Sequence, residues 1–196
     1  MAITEILKIE FEEERFRVPN KSGFYHDGLK AWFDNFRLSG YGLLIGDRIG
    51  VKPILKKRYS EIIESYSVEL EKDSGDIEWD ITQPFRISVG ARMNFYSADK
   101  KNFPFDWIIC QAVLEHVIDP VAAMKNLSNV LKPMGLLFLH VPGIGCPEHK
   151  FPIDCYRFFK DSLIAFQELA GLDMIDFYSK TGKDHFLALY RKRKEV

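Results

Sequence analysis

Residues 105–142 read FDWIICQAVLEHVIDPVAAMKNLSNVLKPMGLLFLHVP, and this stretch decides the fold. Trp107, Ile108, Ile109 and Cys110 form a continuous apolar run, as expected of a strand covered on both faces in a parallel sheet. Asp119-Pro120 supplies a side-chain acceptor for the open amides of a helix start, then a proline at the first helical position, where its missing N–H costs nothing. Val121, Met124, Leu127, Val130 and Leu131 recur at helical spacing, and Lys132-Pro133 stops the helix. After Gly135, LLFLHVP is a second buried strand. Strand, helix, strand in this order make a βαβ unit, with a right-handed crossover expected.

Working outward, the C-terminal side carries a second helix, with Asp161 as its expected cap and Leu163, Phe166 and either Leu169 or Ala170 facing inward. Gly171 suits the left-handed position at its end. Two strands follow, Leu172–Ser179 and His185–Arg191, and the short Thr181-Gly182-Lys183-Asp184 link between them requires an antiparallel pair. Toward the N-terminus, the apolar run GLLIG after Tyr41 ends in a loop carrying Gly46 and Gly50, the pattern of a strand and tight turn. Residues 1–40, with scattered aromatics and a possible short helix from Gly28 to Phe36, read as a leader packed on a main domain of residues 41–196. The expected architecture is α/β: a mostly parallel sheet with one reversed strand near its C-terminal edge.

The 196 residues suit one domain of ordinary size. With 46% hydrophobic and 28% charged residues the chain can bury a core, which excludes disorder as its main state. Lys and Arg number 27 against 28 Asp and Glu, so no global field recruits nucleic acid or an anionic membrane. The opening MAITEILKIEFEEERF is too acidic for a signal peptide, and no apolar run approaches the roughly 18 residues of a membrane span. Three cysteines make a poor disulfide framework, so reduced thiols and a cytosolic location are expected.

The succession of FD, apolar strand, LEH, DP, helix, LKP, glycine, strand and VP over residues 105–142 resembles the second half of class I S-adenosylmethionine-dependent methyltransferases of the small type 11 group. Met134 stands where that pattern has its first glycine. The later run HKFPIDCYRFFKDSLIAFQELAGL, residues 149–172, is similar to a segment of sugar and polysaccharide-cluster members, with Cys155 in place of a tyrosine. The resemblance covers about residues 41–190. It implies a Rossmann-like three-layer sandwich with a seven-stranded sheet, and S-adenosylmethionine as cofactor, leaving S-adenosylhomocysteine as product.

The resemblance also implies where the cofactor binds. LLIGDRIG, residues 43–50, matches the family's glycine-rich first motif in part: Gly46 and Gly50 fit the outer glycines, Asp47 lies between, Arg48 replaces the middle glycine and Leu44 the preceding acid. Glu64 and Glu69 are alternatives for the ribose-binding acid, as ends of two strand readings of SEIIESYSVEL. Asp80-Ile81 is the expected adenine-side pair, with Asp99 as competitor; with Asp80, residues 86–100 become an insertion over the pocket. Gln111 and Ala112, after the fourth strand, flank the methionine part. All converge on the carboxyl ends of the strands, where open α/β sheets bind ligands.

Methyl transfer to a hydroxyl needs alignment and a base for the departing proton. His149 is the first candidate, His116 the second, and Asp154 is placed to orient His149 or bind a sugar hydroxyl. Tyr156 and Arg157 are expected to contact acceptor oxygens or a phosphate. Cys146, His149 and Cys155 lack a paired C-x₂-C and a fourth ligand, so no metal site is expected. The basic clusters at Lys52, Lys56, Lys57, Arg58 and at Arg191 to Lys194 read as solvated faces. The function expected is O-methylation of a sugar, glycan or other small hydroxyl compound, with no nucleic-acid or membrane partner and an open oligomeric state. The irregular LLIGDRIG motif leaves a second reading open: a relative that keeps the fold as a binding or regulatory module without turnover.

Overall fold

The structure, a computed structural model, describes residues 38–46, 55, 59–69, 75–85, 105–180 and 185–194. The N-terminal leader up to residue 37, the loop residues Asp47, Arg48 and Gly50, the basic cluster from Lys52 to Arg58, the segment 86–100 with Asp99, and the 181–184 link lie outside these residues.

Seven strands form one sheet: β1 (Gly40–Ile45), β2 (Ile62–Glu69), β3 (Ile77–Glu78), β4 (Phe105–Gln111), β5 (Leu131–Pro142), β6 (Leu172–Lys180) and β7 (His185–Lys192). Their spatial order is β3-β2-β1-β4-β5-β7-β6. The first five are parallel to one another, and β7 runs antiparallel to both β5 and β6, as the short link after β6 demands. The order reverses between β1 and β4, so the crevice of such a sheet opens at their carboxyl ends.

The apolar runs are continuous because both faces of the central strands are covered. Leu43, Ile45, Ile108, Cys110, Leu137 and Leu139 point into one core, and Leu44, Trp107, Ile109 and Phe138 into the other. Helix α1 (Pro120–Asn129) lays Ala123, Met124 and Leu127 on the first face. Helix α2 (Lys160–Leu169) adds Leu163, Ile164 and Phe166 there. The second face is covered, among the described residues, by Leu38, Leu55 and Tyr59.

Helix α1 begins as its sequence demands: the Asp119 carboxylate accepts the Ala122 N–H at 2.9 Å, and Pro120 is the first helical residue. Helix α2 does not begin at Asp161. Phe159 holds the cap position without a side-chain hydrogen bond, and Asp161 lies in the first turn, where its charge faces the positive helix end. Of the two inward candidates at its end, Ala170 packs on the core and Leu169 is exposed; Gly171 takes φ +64° as expected.

Strand β5 starts earlier than the sequence suggests. Leu131 already pairs with Phe105, and residues 132–135 bulge before Leu136 pairs with Trp107. Asp106 closes this end of the sheet, taking the Tyr41 N–H at 2.8 Å and the Lys132 ammonium at 2.7 Å. The C-terminal basic run is not simply solvated: Arg193 binds Glu168 and Asp173, and the Lys192 ammonium donates to the Leu131 carbonyl. No helix among the described residues is long and apolar enough to cross a membrane.

Candidate active site

A cleft of about 460 Å³ opens at the carboxyl ends of β3, β2, β1 and β4, the edge that the strand order selects. This volume is in the range of small-molecule sites. Gly46 follows β1 with φ +76°, a conformation open to glycine. A Cβ there would stand 2.5 Å from the Gln111 carbonyl oxygen and 2.6 Å from Val113 Cγ2, so the turn packs directly on the end of β4. Ala112, the residue after β4, is itself held at φ +50°, and its N–H donates to His140 O across the sheet. A non-glycine residue in this region costs roughly 1–3 kcal/mol, and such strain concentrates at functional sites.

One wall carries carboxylates. Glu69 is the last residue of β2 and lines the cleft. Glu64 sits five residues earlier in the same strand, about 16 Å away at strand rise. It pairs across the sheet with Tyr41 near the opposite end, and its side chain accepts its neighbour's amide. The two readings of this segment are thereby separated, and Glu64 does not reach the cleft. After β3, Asp80 and Ile81 line the same wall with Trp79 behind them. Asp80 Oδ1 takes the N–H and hydroxyl of Thr82, which fixes the turn, while the Ile81 carbonyl is held by Asn126.

The other wall is built by the 3-10 turn Leu114–His116 and the loop after β5. That loop is tied down by Cys155 N–H to the Glu115 carbonyl at 2.7 Å and by Phe158 N–H to the Pro142 carbonyl at 2.9 Å. His116, His149, Lys150, Phe151 and Pro152 therefore form the rim. Between the two histidines lies Glu115, fully buried, with its Oε1 3.5 Å from His149 Nε2 and 3.7 Å from His116 Nε2. Burial pushes this carboxyl above its ordinary range, while the two histidines pull the other way. The sequence reading passed over Glu115; the signal was an acid placed between Leu114 and His116 at the end of a buried strand. It also passed over Val68 and Trp79, whose apolar side chains look like ordinary core until the strand ends are assembled.

Asp154, Tyr156 and Arg157 have other work. The Arg157 guanidinium has five N–H donors, and five bonds occupy it: two to the Asp154 carboxylate and one each to the carbonyls of Cys146, Pro147 and Tyr156. It has no donor left for an acceptor oxygen or a phosphate, which corrects the expected role. Tyr156 donates its hydroxyl to the Ile118 carbonyl at 2.6 Å and does not line the cleft. Asp154, held well below the usual carboxylate range by Arg157, takes the backbone N–H of His149 at 2.7 Å. Its Oδ2 is 3.8 Å from His149 Nδ1, so it positions His149 through the backbone rather than by gripping the ring. None of the three cysteines forms a disulfide among the described residues.

One family sequence model, described as a methyltransferase domain, matches residues 31–180. The chain belongs to the methyltransferase-domain family. S-adenosylmethionine as cofactor, expected from the resemblance, goes with that membership. Solved structures share the fold of this methyltransferase domain at low identity. A methyltransferase from Bacillus halodurans is 12% identical with a TM-score of 0.59, covering 86% of this chain and 99% of that one. A SAM-dependent methyltransferase from Methanosarcina mazei is 15% identical with a TM-score of 0.58, covering 84% and 98%. A Haloferax volcanii chain, from a complex between the Trm112 methyltransferase activator and a methyltransferase, is 12% identical with a TM-score of 0.61, covering 86% and 89%. No curated protein matches the sequence.

Proposed function

We propose that this methyltransferase domain transfers the methyl group of S-adenosylmethionine to a hydroxyl oxygen of a small or glycan-linked acceptor. The observation that carries the reading is the two-sided cleft: carboxylates and apolar side chains on the β2 and β3 side, a buried acid with two histidines on the β4 and β5 side.

The residues present fit the cofactor. Glu69, at the end of β2, is the acceptor for the ribose hydroxyls; Trp79, Asp80 and Ile81 suit the adenine, with apolar surface for its faces and a carboxylate at its edge. The turn at Ala112 and the Gly46 corner bring Gln111 and Ala112 to the cleft lining, where they suit the methionine part. When bound, the cofactor supplies a methyl group on a sulfonium leaving group. Alignment behind such a group is worth up to roughly 7–11 kcal/mol in favourable systems.

The histidine wall supports a hydroxyl acceptor in particular. An alcohol must shed its proton as its oxygen forms the new C–O bond, and a base within reach contributes on the order of 10²–10⁴ in rate. His149 Nδ1 lies 3.2 Å from the Pro147 carbonyl, which only accepts, so in the neutral ring the proton sits there and Nε2 carries the lone pair. This Nε2 takes the acceptor proton, and Glu115 at 3.5 Å steadies the resulting imidazolium. His116 lies ring-to-edge against His149, centroids 5.1 Å apart, and bounds the space the acceptor occupies. The half-exposed rim leaves room for an acceptor attached to a larger glycan.

Calorimetric titration with S-adenosylmethionine and S-adenosylhomocysteine tests the cofactor, and methyl transfer to sugars, nucleotide sugars and phenols tests the acceptor. One-site binding of both ligands is expected, with His149→Ala keeping donor affinity while turnover falls. A chain that binds neither ligand at high micromolar concentration overturns the reading; unchanged turnover in His149→Ala removes that residue as the base.

A further inference from the structure

We propose that Glu115, His116 and His149 form a binding site for one divalent transition-metal cation at the acceptor end of the cleft. The role given to that end rests on the methyltransferase reading; the binding itself does not.

The ligand atoms of the three residues, one from each, all lie within 4.8 Å of one another. Two of the separations are 3.5 and 3.7 Å. Neighbouring ligands on a cation with bonds of about 2.1 Å stand roughly 3–3.5 Å apart, so a small inward movement of the histidines closes the set.

The hydrogen-bond pattern decides what belongs in the middle. His116 Nδ1 contacts the Ile153 carbonyl at 2.5 Å and His149 Nδ1 the Pro147 carbonyl at 3.2 Å. A carbonyl oxygen only accepts, so in the neutral rings each Nδ1 bears the proton and each Nε2 keeps its lone pair. Both Nε2 atoms stand within 3.7 Å of Glu115 Oε1, and Glu115 is 0% exposed with no well-formed hydrogen bond to either carboxylate oxygen among the described residues, His149 Nε2 being the nearer of the two. Among the described residues no Lys or Arg side chain stands between these three groups. Arg157 is saturated by its five bonds, and Lys150 pairs with Glu148 at the surface.

A buried carboxylate without a partner is costly unless a positive charge joins it. A histidine whose distal N–H is held by a backbone carbonyl is the usual arrangement around metal-ligating imidazoles. Two histidines and one carboxylate leave open positions on the cation, toward the cleft, for substrate oxygen. The sequence reading looked for a metal among Cys146, His149 and Cys155; the fold instead brings His149 to a different pair of partners.

The cation changes how the acceptor loses its proton. With His149 Nε2 engaged as a ligand, the acceptor hydroxyl coordinates an open position, and its proton passes to bulk water because coordination lowers its pKa. The oxygen then forms its bond to the methyl carbon as the carbon–sulfur bond breaks, and the sulfur keeps the electron pair. Acceptors with two adjacent hydroxyls are favoured, since both oxygens reach open positions.

The untagged full chain, stripped with EDTA and dialysed, is titrated with Mn²⁺, followed by calorimetry and by the loss of the free-ion EPR signal. One equivalent is expected to bind, with affinity reduced at least about tenfold in Glu115→Gln and His116→Ala. Cys146→Ser and Cys155→Ser are expected to bind as the parent does. Binding that keeps its strength in Glu115→Gln, or no uptake of Mn²⁺ or Zn²⁺ at about 1 mM, overturns the proposal. Glu115→Gln preserves side-chain shape, so it decides the matter even where circular dichroism shows His116→Ala to be unfolded. S-adenosylmethionine titrated into the same samples separates the two readings: Mn²⁺ uptake without donor binding leaves the metal site standing and removes the methyltransferase function, and the opposite result does the reverse.

Discussion

Replacing Gly46 by alanine probes the corner on which the cleft is built. The residue sits at φ +76°, where a side chain costs an l-residue roughly 1–2 kcal/mol. The new methyl carbon would also stand 2.5 Å from the Gln111 carbonyl oxygen and 2.6 Å from Val113 Cγ2. The first contact is backbone of the β4 end and cannot swing aside, so about 1–3 kcal/mol of overpacking is added. Alanine stiffens the unfolded chain and returns about 0.4–1 kcal/mol. The net loss is then about 1–4.5 kcal/mol, a large part of the roughly 5–15 kcal/mol that holds a domain together. Urea unfolding reads it as a midpoint lowered by roughly 0.5–2 M at a slope of about 2 kcal/mol/M. Because the displaced atoms belong to Gln111 and Val113, donor affinity by calorimetry falls with stability. A variant within about 0.5 kcal/mol of the parent, the ordinary scatter of a harmless substitution, would refute the claim that this turn is packed shut against β4.

Glu69→Gln is expected to weaken S-adenosylmethionine binding by about tenfold, near the worth of a hydrogen bond to a charged group, while Glu64→Gln stays within twofold in the same titration. The reverse order would reject the placement of Glu69 at the ribose. Met134→Gly is expected to raise stability by about 0.5–1 kcal/mol, the relief of φ +67° less the added freedom of the unfolded chain. The Met134 side chain is 43% exposed and surrenders little packing; a loss of stability in urea would contradict this. Stability should also fall as pH drops from 7 toward 5. Burial beside His185 holds the His140 imidazole well below its ordinary value, so the unfolded chain binds the proton that the folded chain refuses. The contribution is full above about pH 6.5 and is lost below it, at up to about 1.4 kcal/mol per pH unit. His140→Leu should flatten the urea-midpoint profile over that window, and an unchanged slope would assign the effect elsewhere.

The pattern LKP-Met-Gly shows why some departures from a family's sequence are tolerated. A Cβ at Gly135 would stand 2.9 Å from the Lys132 carbonyl oxygen and 3.2 Å from that of Asp106, so that position has no room for a side chain. At Met134 the space is open and only the backbone angle is unfavourable, a cost the fold carries. The letters alone do not distinguish the two glycines of the pattern, because one is a demand of packing and the other of torsion.

What the chain determined by itself is what depends on neighbours in sequence. The burial of 105–110 on two faces, the Asp119-Pro120 start of α1 and the reversal forced between β6 and β7 follow from side-chain period, capping and loop length, and all are present. The cleft was decided by tertiary structure. The register of β2 against β1 carries Glu69 to the strand end and leaves Glu64 near the other, although both are acids in one short run. Arg157 reads as an anion contact until the fold surrounds it with five acceptors. Glu115 gains its meaning only when a loop thirty-odd residues later brings His149 to within 3.5 Å. Torsion and capping act over a few bonds, whereas the meeting of charges from distant segments is set by how the strands and loops pack, and no local pattern encodes it.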